Sequence, residues 1–354
     1  MTAFVMAGVL TGFASSQDAP LPSQDDSGIP TLHVYTNLLQ IPTLVLDSQH
    51  RPIRAIPERR FLVSIDSGPK SHVAHVRVEG EDPIALAILV DGTRLQSNLT
   101  SRLRDAIVGL SPNSLHPGDS VSLYNLACQL SRAVVASPIS VDSLRESAEL
   151  MFGEPKGSGK ENSSKPCKQP QWNLLDAIVS AANGLKDEPG RRVLLVLTDG
   201  QDRGSRTTWD EARVFATAKG AAIFGIVPST DMTMQIRGPR GILGTQAVST
   251  AMNMVQLSES TGGMVLDNTG SGLAIEFRDF VALVRSRYIV EFPRPDTGAG
   301  SHSLDISVEK MSGAFIRPAG ASVPVADPEL AKDPNTILPD PSNAPAVGTK
   351  RPKQ

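Results

Sequence analysis

Apolar residues in this chain fall into short unbroken runs, separated by stretches where they recur every three or four positions. Ile84, Ala85, Leu86, Ala87, Ile88, Leu89 and Val90 form one such run, rich in branched side chains. A run this short and this apolar predicts a strand buried on both faces, as in a parallel sheet covered by helices. It ends in Asp91, Gly92 and Thr93. A second run, from Val193 to Leu197, ends the same way in Thr198, Asp199 and Gly200, and a third occupies residues 221–227. Polar turn residues at the carboxyl ends of central parallel strands sit where open α/β sheets place their ligand sites. Two buried strands each deliver an Asp-Gly pair to one edge of the fold.

Between the runs the period changes. Leu99, Leu103, Ile107 and Leu110 share one face of a helix over residues 98–110. The same spacing predicts helices over 141–152, 172–185, from about 247 to before Gly262, and 273–287. Thr208 and Glu211 form a capping box, the hydroxyl and the carboxylate each satisfying an orphan amide. The helix they open runs to about Lys219 and stops at Gly220. Residues 121–126 and 129–135 read as a hairpin turning near Cys128. Strand and helix in alternation predict an α/β fold: a doubly wound, mostly parallel sheet with helices on both faces.

The flanks follow another pattern. Residues 32–38, 41–47, 61–65 and 72–78 alternate like strands, as do 288–292 and 302–308. They need partners, and the economical solution pairs the two chain ends with each other as a small accessory β unit. His72 and His75 lie on one predicted alternating strand, where positions i and i+3 face opposite ways, so they read as surface histidines rather than a ligand pair. Residues 153–171 and 228–244 lose all periodicity, the latter loop holding Arg237 and Arg240. The expected organisation is a signal peptide over 1–16, a linker over 17–31, an N-terminal β segment over 32–80, the α/β domain over 81–286, a C-terminal β segment over 287–320, and a Pro/Ala-rich disordered tail over 321–354.

The pair of segments reading ILVDGT and LVLTDGQDRGS resembles the von Willebrand factor type A domain. More narrowly, the chain is similar to bacterial VWFA-related proteins found largely in Acidobacteria, in which a short β-rich segment precedes the domain and a β tail follows it. The strand and turn from Arg60 to Gly68 resemble an equivalent segment there. In that family a Mg²⁺ sits at the strand tips in a metal-ion-dependent adhesion site built from oxygen ligands, as a hard dication requires. The resemblance puts Asp91 at the first Asp, Thr93 at the first hydroxyl and Asp199 at the third-loop Asp. Leu95 falls where a Ser is expected and Trp172 where a Thr is expected, so the implied site is degenerate. Two neighbouring carboxylates stripped of ligands need their repulsion offset. Arg94 is the candidate for that role, and Ser97 for the lost hydroxyl. The alternative is that Asp91 and Asp199 only cap the helices that follow. No cofactor is expected, with Mg²⁺ the one ion the remaining donors would take.

Composition narrows the partner. The chain has 354 residues, 40% of them hydrophobic, with a formal net charge of −3, which gives no reason to expect nucleic acid. An apolar run over residues 3–13 followed by Ala14 and Ser16 suits export with cleavage before Gln17, although no Lys or Arg precedes it. No other run is long enough to span a bilayer, so the mature chain is expected to lack a transmembrane segment. Export would favour a disulfide between the two cysteines, Cys128 and Cys167, which the resemblance puts at the strand-tip end; two independent thiols are the alternative.

The expected function is therefore an exported, non-enzymatic protein-binding or adhesion module, located in the periplasm, the cell envelope or outside the cell. Its partner is another protein, engaged through Asp91, Thr93, Arg94, Ser97, Trp172, Asp199, Arg237 and Arg240. The alternatives are a structural component of an envelope assembly, or a hydrolase using Asp91 and Asp199. Against the last, the sequence carries no Ser-His or Cys-His arrangement and no Gly-rich phosphate loop.

Overall fold

The computed structural model describes residues 33–34, 38–92, 97–153, 172–227 (apart from 187, 189 and 203), 245–266, 272–293, 300–323 (apart from 302 and 321) and 336–337. They fall into two compact units. The first, within residues 1–35 and 327–338, contains strand β1 (His33–Val34) paired in parallel with β17 (Thr336–Ile337). The tail beyond 320, expected to lack structure, thus contributes a described strand, as does Ser322–Val323 (β16). Two-residue pairings of this kind leave no periodicity to read.

The second unit holds everything else described. Its chain order begins with β2 (Leu38–Leu46), β3 (Phe61–Ile65), β4 (Ser71–His72), β5 (His75–Val78), β6 (Ile84–Asp91), α1 (Ser97–Val108), β7 (Ser120–Leu126) and β8 (Leu130–Val134). It continues with α2 (Val141–Phe152), α3 (Leu174–Gly184), β9 (Arg191–Leu197), α4 (Trp209–Ala218), β10 (Ala222–Ile226), α5 (Thr245–Ser260), β11 (Val265–Leu266) and α6 (Leu273–Arg285). It ends with β12 (Tyr288–Pro293), β13 (Gly300–Ser301), β14 (Leu304–Val308), β15 (Phe315–Pro318) and β16.

The main sheet runs β11-β10-β9-β6-β7-β8, every ladder parallel except the β7–β8 hairpin. All eight residues of β6 are buried. Their alternation feeds two cores. Ile84, Leu86, Ile88 and Val90 pack with apolar residues of α1, α2 and α6. Ala85, Ala87 and Leu89 pack with those of α3, α4 and α5. Fully burying side chains of this size stabilises by about 1.5–3 kcal/mol for each large one, which is why the central strand carries no polar residue before Asp91. Gly190, at φ +96°, opens β9; a Cβ there would lie 2.5 Å from the Pro83 carbonyl oxygen, so only glycine lets the two strands start side by side. The doubly wound α/β sheet expected from the sequence is what the structure shows.

The flanking strands do pair with each other, but as two sheets. β2 lies between β12 and β15, with β5 beyond β12, and β3 pairs with β14 and β4, all antiparallel. They share a third core around Phe61, Val63, Tyr288, Val290 and Phe292. Leu44 and Leu46 of β2 belong instead to the α1/α2/α6 core, tying this unit to the main sheet. One expectation is corrected here: residues 72–78 are not one alternating strand. The chain crosses from one sheet to the other, so His72 pairs within the β3 sheet and His75 beside β12. Both histidines are exposed, and His75 Nδ1 lies 2.9 Å from a Glu58 carboxylate oxygen. Among the described residues no helix is long and apolar enough to cross a membrane.

Candidate functional site

The register of β6 against β9 decides what meets at the strand tips. Val90 pairs with Leu197, so the residues that follow, Asp91 and Thr198, end adjacent strands side by side. Asp91 is 4% exposed and Thr198 2%. Like Ala85, Ala87 and Leu89 before it, Asp91 occupies an alternate position on the α3/α4/α5 side, and so does Thr198 after Leu194 and Val196. The Thr198 hydroxyl donates to Asp91 Oδ2 at 3.3 Å and accepts the Gly200 amide at 3.1 Å. Asp199 is less buried and accepts the Gln201 amide at 2.9 Å through Oδ1. Behind Asp91, Gly92 lies so close to β7 that a Cβ would stand 2.4 Å from Asn125 Oδ1. That oxygen is buried and has no hydrogen-bond partner, while the amide nitrogen of Asn125 donates to the Met151 carbonyl at 3.2 Å.

The loop after Asp199 is fastened to the start of α3. Asn173, at the N-cap, makes no side-chain cap bond. Ser205 takes over: its hydroxyl accepts the Leu175 amide at 3.0 Å and the Asp176 amide at 3.3 Å, and donates to Asp202 Oδ1 at 2.5 Å. Asp202 also accepts the Ser205 and Gly204 amides at 3.1 and 3.3 Å. Asp176 returns the connection, accepting the Thr207 amide and hydroxyl at 3.0 and 2.8 Å and the Arg206 amide at 3.2 Å. Burial alone would raise the Asp176 carboxyl, but these hydrogen bonds, with the Arg206 charge, hold it below the ordinary value. Orphan amides of the helix end are thus satisfied from another loop rather than from their own cap.

Trp172 stands just before α3 and is half-buried against the α3/α4/α5 core. It closes one end of an open groove of about 650 Å³ along the outer face of α3, lined also by Asp176, Val179, Ser180, Asn183, Arg206, Thr207 and Phe215. A volume of this order lies within the range of small-molecule sites.

Of the residues singled out from the sequence, Asp91 ends β6, Asp199 lies two residues past the end of adjacent β9, and Trp172 stands just before α3. Ser97 begins α1, its side chain outside the described residues, as are Thr93, Arg94, Leu95, Arg237, Arg240 and Cys167. Cys128 lies in the turn between β7 and β8. Sequence reasoning missed Thr198, although it directly precedes Asp199, and it missed the Asp176, Asp202 and Ser205 network. The clustering of Asp, Ser and Thr over residues 198–208 was the only signal for that network.

The donor set bears on the ion implied by the resemblance. Mg²⁺ is commonly held by one or two carboxylates with waters completing its six-oxygen shell, and of the donors the resemblance implies, Asp91 and Asp199 are among the described residues while Thr93 is not. Among the described residues no group of three or more His, Cys, Asp or Glu side chains converges as metal ligands.

No family model matches the chain, and no curated protein matches it. Solved structures similar in part include a von Willebrand factor type A protein from Catenulispora acidiphila, at 11% identity and a TM-score of 0.37 over 79% of this chain and 74% of that one. An aerotolerance-related membrane protein from Bacteroides fragilis matches at 14% identity and 0.37, over 57% of this chain and 98% of that one. The pilus adhesin SpaC from Lactobacillus rhamnosus GG matches at 7% and 0.38, over 75% of this chain and 41% of that one. At such values the reading of the site rests on the residues described above.

Proposed function

We propose that the chain is an exported protein-binding module that engages its partner at the carboxyl ends of β6 and β9, around a degenerate metal site. The observation that supports this reading is the placement of Asp91 at the end of β6 and Asp199 just past the end of adjacent β9, beside a loop fastened by the Asp176, Asp202 and Ser205 network. Rigid scaffolds that present polar loops at the carboxyl edge of a parallel sheet are where α/β proteins recognise ligands. With Asp176 held ionised by hydrogen bonds and Asp199 less buried than Asp91, the edge offers negative charge and hydrogen-bond acceptors to a polar or basic patch.

A photo-crosslinking residue in place of exposed Arg206 should capture the partner from the native cell envelope. The same residue in place of exposed Arg59, on the accessory β unit, should not. Capture should disappear when Asp91→Ala is added. Equal capture from both positions, or capture indifferent to Asp91→Ala, removes the reading. Turnover of generic ester, phosphate or peptide substrates, abolished by Asp91→Ala, would replace it with the hydrolase alternative.

A further inference from the structure

The β8 edge of the main sheet carries chemistry that the strand-tip site does not use. β8 closes the sheet on one side, hydrogen-bonded among the described residues only to β7. The Val135 amide donates to the Val121 carbonyl and the Ala127 amide to the Gln129 carbonyl. In an antiparallel ladder hydrogen-bonded pairs alternate, so residues 129, 131, 133 and 135 face β7. The backbone N–H and C=O groups of Leu130, Arg132 and Val134 therefore point outward from the sheet. Natural edges are usually blunted by charged side chains, Pro, a bulge or extreme shortness. β8 has five residues, Leu130, Ser131, Arg132, Ala133 and Val134, with Arg132 its single charge and no Pro among them.

The side chains on this edge are specific. Leu130, Arg132 and Val134 project to one face, by the period of a strand. Leu130 is half-buried and Val134 is 57% exposed. Between them, the Arg132 guanidinium lies over the Tyr124 ring at 5.6 Å. Its polar contacts are long and all made through Nη2: Ser122 Oγ at 3.3 Å, the Gly184 carbonyl at 3.4 Å and Glu188 Oε1 at 3.6 Å. Nε and Nη1 have donors to spare, on a side chain 39% exposed.

We propose that β8 is a docking edge for an extended acidic segment of another protein. The segment adds a strand to the sheet, with an Asp or Glu opposite Arg132 and apolar side chains beside Leu130 and Val134. Main-chain hydrogen bonds supply the affinity, and the central carboxylate supplies the selection. A second copy of this chain fits poorly. Antiparallel self-pairing about the middle of β8 sets Arg132 directly against Arg132 of the other copy, and like charges facing each other are destabilising.

The test uses the full chain and a fluorescein-labelled peptide alternating threonine with valine, glutamate and valine, against a counterpart carrying lysine for glutamate. Fluorescence anisotropy should show saturable binding of the acidic peptide, with the lysine peptide about tenfold weaker or worse. Val134→Pro removes one outward-facing N–H and leaves the β7 ladder intact, and it should weaken the acidic peptide about fivefold or more. On the wild-type chain, hydrogen exchange at the amides of Leu130, Arg132 and Val134 should slow when the acidic peptide is bound. No saturable binding up to about 1 mM, equal binding of both peptides, or unchanged exchange at those three amides overturns the proposal. A dimer in sedimentation equilibrium that Val134→Pro dissolves also overturns it, making a second copy the occupant.

Discussion

Arg287 and Glu79 form a bidentate ion pair with both side chains at 0% exposure, Nε to Oε2 at 2.6 Å and Nη2 to Oε1 at 2.7 Å. Glu79 directly follows β5 and Arg287 directly precedes β12, so the pair joins the two flanks of the chain where they meet beneath α6. Backbone bonds run beside it, from the Glu79 amide to the Arg287 carbonyl and from the Gly80 amide to the Arg285 carbonyl. The third guanidinium nitrogen, Nη1, is buried without a partner among the described residues.

That arrangement predicts strong non-additivity. Removing one member of a buried pair strands the other charge and costs about 3–5 kcal/mol, whereas replacing both with apolar residues is often close to neutral. Glu79→Leu and Arg287→Met should each lower stability markedly, and the double variant should be more stable than either single one. Urea denaturation of the four proteins in a cycle checks this. Additive single effects would mean that the pair is not acting as a unit.

Thr198 governs the strand-tip carboxylate. Thr198→Val keeps the shape of the side chain and removes the 3.3 Å hydrogen bond to Asp91, a loss of about 0.5–1.5 kcal/mol. Thr198→Ser should recover most of it. Calorimetric titration with Mg²⁺ or Mn²⁺ should give weak or no binding, because Leu95 and Trp172 stand where hydroxyl ligands are expected. Leu95→Ser with Trp172→Thr should raise the affinity by restoring hydroxyl ligands. Sub-millimolar affinity in the wild type that depends on Asp199 would contradict this expectation.

Glu276 gives the chain a pH dependence of unusual sign. It sits in the first turn of α6, 6% exposed, and neither carboxylate oxygen has a hydrogen-bond partner among the described residues. Burial pushes its carboxyl above the ordinary 4.5; the Arg102 charge opposes this and Asp279 adds to it. Below that ordinary value the folded and unfolded chains both hold the proton. As pH rises through it, the unfolded chain releases the proton while the folded chain keeps it, so stability falls until the folded carboxyl also ionises. Asp176 works in the opposite direction: its lowered carboxyl contributes stability above the ordinary 3.8 that is lost as pH falls. Glu276→Gln should therefore raise stability at neutral pH and flatten the loss above about pH 4.5, while Asp176→Asn should flatten the acid limb. Denaturation midpoints between pH 3 and 8 read both.

Cys128 sits in the β7–β8 turn, and Cys167 lies outside the described residues. We propose that the two are bridged, as export would favour. Closing a loop of about 40 residues would stabilise by about 4 kcal/mol on the chain-entropy account. Thiol titration of the unreduced, denatured protein should find no free thiol, and two per chain would rule the bridge out.

Much of the scaffold was legible in the chain itself. Seven consecutive apolar residues, Ile84 to Val90, satisfy neither a solvent-facing strand nor an amphipathic helix, and the shortness of the run and its branched side chains favour a strand covered on both faces over a buried helix. The Thr208–Glu211 capping box, the hairpin around Cys128 and the bounds of α2 follow from local hydrogen-bond chemistry and side-chain period, and the structure places them where the sequence did. Such features depend on residues a few positions apart, so the chain encodes them directly. What tertiary structure decided is which distant residues share a register. It set Thr198 against Asp91, replaced the missing cap of α3 with Ser205 from another loop, split residues 72–78 between two sheets, and buried Glu79 with Arg287 across 208 residues of sequence. Side-chain period says which face a residue occupies and nothing about its neighbour on the next element; that neighbour is fixed only when the sheets and helices pack.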